Sequence, residues 1–226
     1  MVLMARHPHV PARAALAWLR PRPIEPALGA LPPQDMRVLR CHGLDDELLT
    51  PLLGGHYPSD LLTSPPLRAR ALGPHVPRGN LVCGPSALWV HTGLRPPEVL
   101  SVASTERPGA WRGLDSHRMS LPSEDRVVLA GVECSTLERA AVDVARTAPP
   151  TRAVEAILAA YAAGATRRGM LLALGHCRGG AARGRPRAQR LILSVERAFP
   201  ERAGPLHRRT APLAAHRGSG AVVPSA

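Results

Sequence analysis

The chain has 226 residues, 45% of them hydrophobic, with a formal net charge of +12 and no lysine, so all 29 basic residues are arginines. Six aromatic residues against 25 prolines and 20 glycines mean a core built from Leu, Val and Ala in short, often interrupted elements. No apolar run reaches the roughly 18 residues of a membrane span. Met1–Trp18, with Arg6, Pro8, Pro11 and Arg13, lacks the apolar centre of a secretory leader, so a cytoplasmic protein without membrane contact is expected.

Residues 1–33 are broken by prolines, leaving room for one short helix at Ala12–Arg20. Gln34–Arg40 and Asp45–Leu53 read as two short helices joined at His42–Gly43, with Asp45 as the N-cap of the second. Gly54–Pro58 reads as a turn into a strand. Two small helices and a strand over 1–64 fit either a degenerate winged-helix-like region or a simple structural cap. Leu67–Leu72 is expected to be helical after Pro65–Pro66, and Gly84–Pro85–Ser86 opens a second helix.

Between 98 and 134 the period becomes two. Val99–Ala103 and Leu114–Met119 are strand candidates, and Asp125–Leu129 with Val132–Cys134 flank Ala130–Gly131 as a hairpin. From Ser135 the chain turns helical. Ser135-Thr-Leu-Glu138 matches a capping box, followed by Leu137, Ala140, Ala141, Val144 and Ala145 at helical spacing. Further helices are expected over 151–163, from Thr166 to Leu174 with Thr166 as cap, and from about Pro186 to Phe199. Residues 200–226 read as a disordered basic tail. The expected fold is α+β: a small N-terminal helical region, central short antiparallel strands and a C-terminal helical group, with domains at 1–64 and 65–199.

No catalytic signature is present: no phosphate-cradling GxxxxGK[ST], no GxSxG and no HExxH. Ser86 and His91 share a helix at i, i+5 and point to different sides, which does not suit a nucleophile and its base. Arg139 and Asp143, at i, i+4, read as a helix-surface pair. Glu124–Asp125 reads as a solvated acidic loop. Cys41, Cys83, Cys134 and Cys177 lie far apart, and the pairs Cys41–His42 and His176–Cys177 do not suggest a metal site. No cofactor is expected. Charge is one-ended: twelve arginines oppose two acids over Ala165–Arg217, against seventeen and fifteen before it. Arg183, Arg185, Arg187 and Arg190 are therefore candidate contacts to a nucleic-acid backbone. The absence of interleaved aromatics points to binding without base specificity.

Several segments in order carry a family resemblance. They are GGHYP at 54–58, PPLRARALGPHVPRGNLVCGPSALWVHTGL at 65–94 with its Ser86, Trp89 and His91, and VVLAGVECSTLERAAVDVAR at 127–146 with its Arg139 and Asp143. The alanine-rich stretch at 151–163 and the arginine-rich one near 187–199 follow. Over residues 54–199 the chain resembles the actinobacterial proteins grouped with the AbiEi-type antitoxins of type IV toxin–antitoxin systems. The resemblance implies a non-enzymatic antitoxin or regulatory protein. Its N-terminal winged helix would bind promoter DNA, and its C-terminal domain would counter a nucleotidyltransferase-like toxin, a functional rather than necessarily physical partner. An orphan member without a toxin is one form of that reading. The alternatives are a general nucleic-acid-binding protein using the arginine-rich region, or an inactive remnant of a nuclease-linked protein.

Overall fold

The computed structural model describes residues 28–105 and 113–200. The helix expected over Ala12–Arg20 and the tail expected beyond Pro200 lie outside them. The described part opens with helix α1 (Pro33–Cys41) and the single turn α2 (Asp45–Leu48). Asp45 is the first residue of that turn, with Leu44 before it and no side-chain cap, so it is not the expected N-cap. Its carboxylate instead reaches Arg40, 3.5 Å away.

Helix was expected to run on to Leu53, but the chain turns extended at Leu49. Strands β1 (Leu49–Leu52) and β2 (Gly55–Pro58) form an antiparallel hairpin. Its turn residues, Leu53 and Gly54, both have positive φ. Hairpin pairing wins because Pro51 has no amide hydrogen for a helix interior, and the hairpin register puts Leu52 and Tyr57 on one buried face. Leu52 and Tyr57 join the larger of two hydrophobic clusters among the described residues, which continues past residue 64 into the helical group.

After a 3-10 turn at Ser59–Leu62, α3 spans Pro65–Leu72, β3 is the short Leu81–Val82, and α4 spans Gly84–Thr92. Then come β4 (Leu100–Ser104), β5 (Leu114–Arg118), β6 (Arg126–Leu129) and β7 (Val132–Ser135). The strands lie in the order β5-β4-β3-β7-β6. This sheet is mixed rather than purely antiparallel: β3 is antiparallel to β4 but parallel to β7, and β4 is parallel to β5. The β6–β7 hairpin turns at Ala130–Gly131, φ 49° and 81°, the primed turn whose twist suits a two-residue connection.

Four helices complete the α+β fold: α5 (Leu137–Thr147), α6 (Pro150–Ala162), α7 (Arg167–His176) and α8 (Arg185–Ala198). Helix α5 is their hub, packing against α4, α6, α7 and α8. Ala140, Ala141 and Ala145 are fully buried on it, and their small side chains let neighbouring helices approach on several sides. Its N-cap is Thr136, whose hydroxyl accepts from the Arg139 amide, one residue later than the expected Ser135. The capping box therefore does not form. Ser135 remains the last residue of β7, buried, and the position three after Thr136 is Arg139 rather than Glu138. Thr166 caps α7 as expected, accepting from Gly169.

Candidate functional site

The hub helix carries charge on a face that the fold buries. Arg139, Asp143 and Arg146 stand at i, i+4 and i+7 and so share one face of α5. All three are buried, with side chains 2%, 7% and 5% exposed. The reading of Arg139–Asp143 as a surface pair is thus corrected. Helices α7 and α8 and the segment before β6 close over that face, and a charge taken from water must find partners there.

The partners form a continuous cluster. Arg139 donates through Nε to Asp143 Oδ2 at 3.0 Å and through Nη1 to Asp125 Oδ2 at 2.8 Å. Arg146 donates through Nη2 to the other Asp143 oxygen at 2.6 Å and through Nη1 to the Arg183 carbonyl at 2.9 Å. Asp125 Oδ1 lies 3.0 Å from His176 Nδ1. A carboxylate only accepts, so Nδ1 carries the proton and the imidazole is locked by Asp125. Burial works against the charged Arg139 guanidinium, but Asp143 and Asp125 together outweigh it and hold the group charged more firmly than in water. The Asp125 main chain is also tied down, its carbonyl accepting from the Thr136 amide at 3.0 Å.

One side of this cluster opens into a cleft of about 690 Å³. Arg139 and His176 lie within it, Arg118 and Arg178 stand exposed at its mouth, and Met119 and Gly179 form part of its walls. Among the described residues, the Arg139 Nη2 meets only the Met119 thioether, 3.7 Å away.

The remaining motif residues serve packing and capping. Trp89 is 1% exposed in the core. Ser86 Oγ accepts from the Ser101 amide at 2.9 Å, stitching α4 to β4. His91 Nε2 lies 2.8 Å from the Ser135 carbonyl and donates to it, tying the end of α4 to the end of β7. Ser86 and His91 thus face different elements, as their spacing predicts. Burial lowers the His91 pKa, the Ser135 contact opposing it.

The four candidate nucleic-acid arginines do not form one open stripe. Arg183, Arg185 and Arg190 are exposed. Arg187 is partly buried, its guanidinium donating to the Ala148 and Arg146 carbonyls at the end of α5. Arg68 does the same for α4, donating to the Val90 and His91 carbonyls at 2.8 and 3.2 Å and to Leu62 at 2.9 Å. A cation at a helix C-terminus meets carbonyls that lack helical partners.

Sequence reasoning missed Asp125, Arg146 and His176. The i, i+4, i+7 spacing of charges in an otherwise Ala/Val helix was the available signal for Arg146. Nothing local links Asp125 to His176, 51 residues apart. Of the cysteines, Cys83, Cys134 and Cys177 are buried and Cys41 is exposed, all as free thiols. Among the described residues no three His, Cys, Asp or Glu side chains cluster in a metal-binding arrangement, and no helix is long and apolar enough to cross a membrane. Comparison of the chain with models of known families, with curated proteins and with solved structures gave no match.

Proposed function

We propose that the protein is a non-enzymatic, antitoxin-like regulatory protein of the AbiEi type, countering a nucleotidyltransferase-like toxin. The observation that carries this reading is how its two most distinctive resembling segments, 65–94 and 127–146, meet. Trp89 is buried in the core, His91 bonds across to Ser135, and Arg139, paired with Asp143 on its own helix, ties α5 to Asp125 just before β6. Trp89, Arg139 and Asp143 of the resembling segments are thus buried within the fold. The order α1, α2, hairpin β1–β2 also supports a reduced winged helix at the N-terminal end, with DNA as its ligand.

Co-expression with the adjacent gene tests the proposal. If that gene arrests growth and this protein restores it, the reading holds; a neighbour harmless on its own removes its basis. The rival reading, general nucleic-acid binding, draws on exposed Arg183, Arg185 and Arg190. It predicts DNA retention that falls steeply with salt and is lost when those three arginines become glutamine. Arg187 is less available to it, being held by the α5 carbonyls.

A further inference from the structure

We infer that the cleft beside the Arg139 cluster is a binding site for a phosphate monoester. Four basic side chains from three separate segments line one volume: Arg118 at the end of β5, Arg139 on α5, and His176 with Arg178 at the end of α7. The acids nearby are largely committed. Asp125 and Asp143 are buried and paired with Arg139, Arg146 and His176, leaving Glu124 as the one exposed carboxylate among the described lining residues.

The cleft was assembled with donor capacity to spare. Arg139 is 1% exposed, and its Nε and Nη1 are used by the two aspartates. Its Nη2 meets only a thioether among the described residues, and sulfur is a weak acceptor. A buried cation with an underused donor edge facing a cleft calls for an anionic acceptor there. His176 is oriented by Asp125, so its second ring nitrogen lies on the edge away from that carboxylate. A Cβ at Gly179 or Gly180 would meet nothing within 4 Å, and glycine there leaves the wall open.

Cationic groups supplied by three separate segments favour phosphate over carboxylate, since a tetrahedral dianion presents oxygens to donors on several sides while a carboxylate offers two in one plane. Among the described residues no Phe, Tyr or Trp lines the cleft, and its polar lining is dominated by cationic groups rather than base-stacking platforms. The phosphate itself is then the recognised group, whether it belongs to a small phosphorylated metabolite or to the 5′ end of a nucleic-acid chain. The site does not depend on the antitoxin reading, and failure of growth rescue would leave it untouched.

The test uses the full chain in calorimetric titrations at constant ionic strength. The probes are inorganic phosphate, glycerol 3-phosphate, glycerol, and one oligonucleotide with and without a 5′-phosphate. Arg118→Gln/Arg178→Gln changes only exposed side chains, and Arg167→Gln/Arg168→Gln removes the same charge elsewhere. The expected result is binding of phosphate and glycerol 3-phosphate but not glycerol. The cleft variant should weaken it by at least about tenfold, as loss of two charge-assisted contacts implies, and the control variant should leave it nearly unchanged. Tighter binding of the 5′-phosphorylated oligonucleotide, sensitive to the cleft variant, assigns the site to chain ends; tighter binding of glycerol 3-phosphate assigns it to metabolites. Equal weakening in both variants, or no binding up to about 10 mM phosphate, overturns the inference.

Discussion

Replacing Arg139 with methionine is the most direct test of the buried cluster. The substitution keeps most of the apolar stem and removes the guanidinium that joins Asp125 and Asp143 at 2.8 and 3.0 Å. Removing one partner of a buried ion pair costs about 3–5 kcal/mol, because the other charge is left in a poor environment. Here each carboxylate keeps one partner, His176 for Asp125 and Arg146 for Asp143, which places the cost near 3 kcal/mol, the lower end of that range. At roughly 2–4 °C per kcal/mol for a chain of this size, Tm should fall by about 6–12 °C. Arg139→Lys should recover only part of the loss, since one ammonium cannot match the separate Nε and Nη1 bonds. Urea unfolding followed by far-UV circular dichroism measures the change. Arg167→Met provides an internal scale, because the Arg167–Glu196 pair is 50% and 29% exposed and its loss should cost under about 1 kcal/mol. If Arg139→Met costs no more than Arg167→Met, the cluster is not the buried tie described above.

Four further outcomes are expected. Thr136→Ala should destabilise by about 1 kcal/mol through loss of the α5 N-cap. Ser135→Ala should cost nothing or stabilise slightly, because the Ser135 hydroxyl is buried with no partner among the described residues; denaturant midpoints showing the reverse order would restore the capping box. Gly184→Ala should cost at least about 2 kcal/mol by the same measurement, since φ is 78° and an added Cβ would run into the Arg146 carbonyl. His91 gives a pH signature. Burial lowers its folded pKa, so below the unfolded value of about 6.5 the unfolded chain binds the proton first and stability falls as the solution is acidified. His91→Gln keeps an N–H donor and cannot titrate, so its stability should decline less between about pH 7 and about pH 5. Parallel slopes for the two proteins would refute that role.

Helix α5 shows how far the sequence could be read and where reading stopped. Its apolar spacing located the helix and its inward face at Ala140, Ala141, Val144 and Ala145, all of which are buried. The same pattern suggested that Arg139 and Asp143 faced water. Periodicity describes one favoured face and assumes solvent opposite it, whereas α5 has neighbours all round. The site suffered most from this. Local pattern places Arg139 on a helix surface, Asp125 in a solvated loop and His176 beside Cys177 with no link to either, whereas the fold joins all three.

The order of helices, the Ala130–Gly131 hairpin, the Thr166 cap and the aliphatic character of the core were determined by the sequence itself, because each depends on residues within a few positions of one another. The tertiary structure alone decided which arginines would be structural. Arg68, Arg139, Arg146 and Arg187 turn inward to carbonyls and carboxylates supplied by distant segments, while Arg118 and Arg178 stay outside at the cleft. All six carry the same guanidinium. Whether it faces water or a buried acceptor depends on what the fold brings within about 3 Å, and local spacing carries no record of that.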